Sequence, residues 1–331
     1  MTWSPTLATI EPFVREVMDG FCLGDRSDVM VSALIGSTNR LWRFDVGGAS
    51  YVVKELSHES VEQIDRRRRA AAFERAVFES GALAMPEPLF DRHNEIVVTA
   101  LGSRGTHSLV RVHHWITGDR PADIPPSLAE AAGHALAVIH GYGRTWSTEP
   151  SGSLRWWEQD PLAVAGRLEN SALSDIAGTA AALIGSAIEV IGDAESIEGE
   201  WIYSHADHKP QNALVVDAAL AVLDWDECGH CNARLEAVES ALRWSVAAED
   251  PPGAFRAFLD GYGGISSLSE RDFGKWVAAL LAWFSFQARR ALGDWATDAA
   301  FERLEAEVMT RDTVVELERT LNSLSLWSSW A

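Results

Sequence analysis

The spacing of hydrophobic residues changes twice along this chain. From residue 7 to 18 they recur every three or four positions, which predicts an amphipathic helix. Short runs rich in β-branched and aromatic residues follow at 28–35, 41–46 and 51–56, the pattern of strands. Gly47-Gly48 separates the last two as a hairpin turn should, and Ser37-Thr38-Asn39 breaks the first two with turn-forming residues. A helix is expected from about 60 to 80, stopped by Gly81 and then Pro86 and Pro88. Strands near 95–100 and 107–116 complete a five-stranded antiparallel sheet. Beyond Gly118 the helical period dominates, at 126–140, 171–191, 234–248, 255–262, 271–292 and 313–324, broken by one β island at 201–225. The order predicts an α+β protein with a small antiparallel β lobe and a larger, mainly helical lobe, and there is no internal repeat.

With 331 residues the chain has room for two domains or lobes, and 47% hydrophobic with 23% charged residues excludes a disordered polymer. No apolar run approaches the roughly 20 residues of a membrane span, and the uncharged run 276–288 reads as a buried helix. The N-terminal residues lack the basic start and apolar run of a secretory leader. Three cysteines are too few for a disulfide framework, so a cytoplasmic protein without membrane association is expected. The net charge of −20 opposes nucleic-acid binding, which depends on lysines and arginines displacing counterions. The imbalance lies beyond residue 110, where 33 acidic residues face 16 basic ones. That field would draw in a cationic substrate, or it is solvated surface that keeps the protein soluble.

The β island carries the chemistry. It reads His205-Ala206-Asp207-His208-Lys209-Pro210-Gln211-Asn212, then a short hairpin, then Asp224-Trp225-Asp226. Phosphoryl transfer asks for one carboxylate to take the acceptor hydroxyl's proton and for hard oxygen ligands that hold magnesium on the phosphates. Asp207 supplies the base, and Asn212 and Asp224 the Mg2+ ligands. An Asp-x-x-x-x-Asn spacing with a second Asp after a hairpin is shared by protein kinases and their small-molecule relatives.

The segment resembles the aminoglycoside phosphotransferase and choline kinase-like family, whose members often read H-G-D-x-x-x-x-N followed by I-D-W or I-D-F. Ala206 stands where that glycine is usual, a departure that matters only if the position requires a positive φ. The resemblance extends upstream, where Leu34 to Trp42 is similar to the nucleotide loop and Tyr51-Val52-Val53-Lys54 to the lysine-bearing strand. It implies a two-lobed protein-kinase-like fold. The nucleotide-binding lobe would span 1–112, a connecting segment 113–118, and a helical lobe with catalytic loop and substrate site 119–331. It further implies that backbone around Ser37, Thr38 and Asn39 cradles phosphates of ATP or GTP, and that Lys54 meets the α- and β-phosphates. A helix glutamate would hold Lys54: Glu74, with Glu62 or Glu79 as alternatives. Lys209 would steady the transferring phosphate, and His113 and Trp115 lie where the connecting segment should pass adenine. The acceptor would be a hydroxylated small molecule, an aminoglycoside or other cationic antibiotic first, with Glu236, Glu239 or Asp260 meeting its amines. Choline-like, sugar and amino-alcohol acceptors stay open.

Two motifs point elsewhere. Cys228-Gly229-His230-Cys231 matches the C-G-H-C of disulfide isomerases, so a thiol-disulfide oxidoreductase is the reading from another class. Glu227 rather than tryptophan precedes it, the preceding strand already serves Asp224, and a fourth ligand for a metal is not evident. Arg66 to Arg69 lies on the expected helix among Glu62, Asp65 and Glu74, which suits a salt-bridged face better than a nucleic-acid patch. A nucleotide-binding pseudokinase is the remaining alternative.

Overall fold

A computed structural model of the chain describes residues 7–34, 39–56, 61–146, 154, 159–197, 199–217, 219–265, 267–294 and 300–330. The chain forms two compact units, one comprising Met1–Ala122, Gly141–Trp146 and Tyr203–Gly229, the other Asp123–His140, Ser147–Ile202 and His230–Ala331.

In the first unit, helix α1 (Leu7–Phe21) lies against a sheet of β1 (Met30–Leu34), β2 (Arg40–Val46), β3 (Ala49–Leu56), β5 (His107–His114) and β4 (Val98–Leu101), all neighbours antiparallel in that spatial order. The helical stripe Ile10, Phe13, Val14 and Val17 packs with Trp42, Phe44, Val53, Val110 and Val112, and burying each large apolar side chain contributes about 1.5–3 kcal/mol. The other sheet face has a smaller core of Leu56, Leu109 and Ala71, the last from helix α2 (Val61–Ser80). Because side chains alternate along a strand, Lys54 shares this face with Leu56, and Arg111 shares it with Leu109. Gly47 and Gly48 have φ of 59° and 82°, the left-handed pair that a tight hairpin turn demands. The first unit is completed by the end of helix α3 (Pro126–Trp146), the end of strand β6 (Trp201–Ser204) and the hairpin of β7 (Ala213–Val216) and β8 (Ala219–Val222).

The second unit holds most of the helices: the start of α3, α4 (Pro161–Leu168), α5 (Ser174–Glu195), α6 (Ala233–Ser245), α7 (Pro251–Tyr262), α8 (Gly274–Ala291) and α9 (Ala300–Ser328), with the end of strand β9 (Gly229–Asn232). Helices α3 and α7 cross closely: a Cβ on Gly133 would stand 2.0 Å from the Phe258 carbonyl oxygen, and one on Gly261 would stand 2.1 Å from that of Glu130. Helix α5 buries Ala177, Ala180, Ile184, Ala187 and Ile191 and packs on α4 and α8. By length and composition it is apolar enough to cross a membrane; Asp175, Glu189 and Asp193 interrupt it.

The elements differ from expectation mostly at their ends. The strand expected at 95–100 begins only at Val98, because the Asp91 carboxylate accepts from the His93 and Glu95 amides and holds a turn there. Helix α7 starts at Pro251, four residues early, since Asp250 caps it, accepting from the Gly253 amide, and Pro251-Pro252 suits a first turn. Asp160-Pro161 starts α4, which was not expected, with Asp160 accepting from the Leu162 amide at 3.0 Å. Helix α9 is far longer than 313–324, because Ala306, Val314, Leu317, Leu324 and Trp327 keep the helical period through polar surroundings.

Candidate active site

The Asp207 carboxylate is placed by a loop that one histidine staples at both ends. Strand β6 delivers His205 into the core, where its Nε2–H donates to the Leu223 carbonyl at 2.9 Å and its Nδ1 accepts the Asp207 amide at 3.3 Å. That pairing requires the neutral Nε2-protonated tautomer, and the Trp225 ring meets the imidazole edge to face at 4.9 Å. His205 therefore orders the loop. Between His205 and Asp207, Ala206 takes φ 63°, the left-handed conformation that glycine adopts without strain.

Asp207 Oδ2 accepts from Asn212 Nδ2 at 2.8 Å and from Lys209 Nζ at 2.7 Å, and the Asp207 carbonyl accepts from the same amide at 3.0 Å. A 3-10 turn, Pro210–Asn212, brings the amide back to Asp207, and the Asn212 carbonyl accepts the Leu223 amide at 2.8 Å. Asp207, Asn212 and the end of the hairpin form one hydrogen-bonded piece. Asp224 follows, also left-handed at φ 63°, with its carboxylate 43% exposed and paired to Lys54. Asp226, on the adjoining 3-10 turn Trp225–Glu227, is buried and takes two partners, Lys54 and Arg111. Burial alone would lower the Lys54 pKa, but the Asp226 and Asp224 carboxylates outweigh it and raise it. Burial would likewise raise that of Asp226, but Lys54, Arg111 and Arg67 hold it below the usual carboxylate range.

One pairing corrects the sequence expectation. Glu74 projects from α2 onto the correct sheet face, yet among the described residues it bonds Arg111, and His113 Nε2 at 3.0 Å, not Lys54. The physical reason is Arg111 itself. It sits directly opposite Lys54 in the β3–β5 register, is 1% exposed, and its guanidinium is the cation Glu74 meets. Glu79, the alternative, pairs with Arg75 at 2.7 Å, while the side chain of Glu62 lies outside the described residues. Burial and the neighbouring Arg111 push the His113 pKa down to about 3, so it stays neutral beside Glu74.

Asn39 is half-buried at the entry to β2, whereas Ser37 and Thr38 lie outside the described residues. Trp115 stacks under the Arg43 guanidinium at 4.5 Å, and its amide donates to the Ser50 carbonyl at 2.9 Å. The segment after it is tied to the hairpin, because Asp119 and Val215 exchange both backbone hydrogen bonds and a Cβ on Gly118 would touch Val215 and Val216.

The three proposed substrate carboxylates lie in the second unit, and two are not available to a ligand. Glu236 is fully buried and accepts from His140, at 3.0 Å, and from the Cys231 thiol. Glu239 is buried against Lys275 and Arg243. Both are committed to internal partners, a use that spacing along a helix cannot distinguish from substrate binding. Asp260 is exposed on α7. Cys228 and Cys231 are buried thiols that form no disulfide, and burial together with Glu236 pushes the Cys231 pKa well above that of an ordinary thiol. A thiol-disulfide enzyme needs the opposite shift. Among the described residues no group of three or more His, Cys, Asp or Glu side chains could hold a metal ion. The Asn212 and Asp224 pair fits Mg2+ nonetheless: Asn212 spends its NH2 on Asp207 and keeps its amide oxygen for a ligand, Asp224 offers an accessible carboxylate, and magnesium takes its other ligands from phosphates and water.

A model of the phosphotransferase enzyme family matches residues 32–276. No curated protein matches the chain in sequence. Among solved structures, spectinomycin phosphotransferase in complex with ADP and spectinomycin is similar with a TM-score of 0.70 at 12% identity, over 94% of this chain and 98% of that one. Amicoumacin kinase in complex with AMP-PNP, Ca2+ and Ami gives 0.63 at 15%, over 92% and 93%. A choline/ethanolamine kinase family protein from Mesorhizobium loti gives 0.62 at 14%, over 97% and 98%. The fold is thus kinase-like and α+β, the class that the order of elements predicted and the form that the resemblance implied.

Proposed function

This chain belongs to the phosphotransferase enzyme family, and from that premise we propose that it moves the γ-phosphate of ATP or GTP onto a hydroxyl of a small molecule. The observation that carries the reading is the locked Asp207–Asn212 pair, a carboxylate fixed by side chain and backbone beside a second, accessible carboxylate at Asp224. Asp207 would orient the acceptor hydroxyl and take its proton as the oxygen attacks the γ-phosphorus in line. Lys209, already 2.7 Å from Asp207, would lie beside the transferring phosphate and offset its charge. Lys54 would meet the α- and β-phosphates, and Asn212 and Asp224 would hold Mg2+, which when bound neutralises the phosphate oxygens. Backbone around Ser37, Thr38 and Asn39 would cover the phosphates, with residues 1–112 forming the nucleotide lobe, 113–118 the connection and 119–331 the acceptor lobe.

For the acceptor we propose a hydroxylated cation, an aminoglycoside or related antibiotic first. Support comes from the acidic excess beyond residue 110, the exposed Asp260, and neighbours of the same fold whose names include spectinomycin and choline. The test is magnesium- and nucleotide-dependent release of nucleoside diphosphate across aminoglycosides, peptide antibiotics, choline, sugars and amino alcohols, with Asp207→Ala alongside. Acceptor-stimulated release that falls by about 10²–10⁴ in Asp207→Ala, with nucleotide affinity kept, is expected. Normal turnover by that variant would remove Asp207 from the role of base.

A further inference from the structure

Lys54 and Arg111 are directly opposed on one sheet face, an arrangement that repels unless an anion stands between them. That anion is Asp226, buried, paired to both cations and held through its backbone carbonyl by Arg67. Glu74, the carboxylate whose place on α2 suits it to hold the lysine, is drawn off by the same arginine. Glu74, Arg111, Asp226 and Lys54 therefore form one unbroken ionic row. The row also crosses elements of different origin: a helix, a central strand, the turn after the hairpin, and the neighbouring strand.

We propose that Arg111 is a positioning residue for phosphoryl transfer: by clamping Asp226 it makes the second acid of Asp224-Trp225-Asp226, rather than the α2 glutamate, the group that orders Lys54. The proposal rests on the reading of Lys54 as the nucleotide-binding lysine. Three consequences follow from the geometry. Lys54 is aimed by the same turn that carries Asp224, so lysine and metal-side carboxylate are set as a unit. The position of α2 acts on the lysine through Arg111, which meets Glu74, and through Arg67, which holds the Asp226 carbonyl. And a lysine at 111, which keeps the charge but not the forked donors, reaches Glu74 or Asp226 but does not hold both in place.

The experiment is a pair of double-mutant cycles on the affinity for magnesium-ATP, measured calorimetrically on the full chain, with the thermal midpoint of each variant recorded to confirm folding. One cycle combines Lys54→Met with Asp226→Asn, the other Lys54→Met with Glu74→Gln. The expected result is that Lys54→Met and Asp226→Asn are each weaker binders and that their effects do not multiply, with a coupling of about 2- to 150-fold in Kd, larger than the coupling of Lys54 to Glu74. A residue that only stabilises the fold would multiply with Lys54→Met. Arg111→Lys, which keeps the buried positive charge and so guards against an unfolded Arg111→Met, should reduce the Lys54–Asp226 coupling when built into the first cycle. Stronger coupling of Lys54 to Glu74 than to Asp226, or independent effects of Lys54→Met and Asp226→Asn, would overturn the proposal while leaving Lys54 as the nucleotide lysine. If Lys54→Met left both ATP affinity and turnover unchanged, the assignment of Lys54 itself would fall, and the proposal with it.

Discussion

Replacing Ala206 with glycine should stabilise this protein, against the usual direction of an alanine-to-glycine change. A β-carbon in the left-handed region costs about 1–2 kcal/mol through its clash with the following carbonyl, and Ala206 sits there at φ 63°. Glycine removes that clash but enlarges the conformational freedom of the unfolded chain, which takes back about 0.4–1 kcal/mol. The net expectation is about 0.5–1 kcal/mol of added stability, or roughly 1 °C in the unfolding midpoint for a chain of this size. The loop cannot relax by changing φ, since His205 fixes it to Leu223 on one side and to the Asp207 amide on the other. Urea unfolding of wild type and Ala206→Gly, with equal slopes against denaturant, measures the difference. Ala206→Val, whose branched side chain fits this conformation worse, should move the midpoint the other way. A glycine variant no more stable than wild type would refute the claim that the loop stores strain at this residue.

His113 should make the fold acid-sensitive. Its folded pKa of about 3 lies below the 6.5 of an ordinary histidine, so between those values the unfolded chain binds the proton that the folded chain refuses, and stability falls by up to about 1.4 kcal/mol per pH unit as pH drops through that window. His113→Gln should flatten that slope, and an unchanged slope in urea titrations between pH 6.5 and 4 would argue that the buried imidazole does take up the proton. Gly143→Ala should destabilise by about 1–3 kcal/mol, because a Cβ there would stand 1.8 Å from the Tyr203 carbonyl oxygen in the first unit. Gly141→Ala, two residues earlier and with nothing within 4 Å of its Cβ position, is the control that should be neutral or stabilising.

The Asp207–Asn212 pairing was legible in the sequence because it depends on local spacing. Asp207 and Asn212 are joined by a single turn, so five residues of text set their geometry, and Gly47-Gly48 announced its hairpin through conformations few other residues adopt. What could not be read were pairings across the register. Lys54 meets Arg111 only because β3 and β5 align as they do, and nothing in either strand alone says which carboxylate each cation takes. One signal for Arg111 was present, a charge inside the apolar run Leu109 to Val112, where an arginine must find anions or unfold the strand. The same limit explains Glu236 and Glu239: acidic residues at helical spacing look alike whether they meet a ligand or a buried lysine and histidine. Helix starts at Asp160-Pro161 and Asp250-Pro251 were readable as caps, and the apolar period alone hid them.

The opposed pair Lys54 and Arg111 also bears on how the sheet assembles. Were β5 to slide one residue along β3, side-chain alternation would turn Arg111 onto the face occupied by Phe44, Val53 and Val110, and it would lose Glu74 and Asp226 together. A buried guanidinium without an anion is among the most unfavourable groups a core can contain, whereas the apolar residues of β5 would tolerate the slip far better. The charges proposed to serve phosphate transfer thus proofread strand alignment, admitting one pairing of β3 with β5 and rejecting its neighbours.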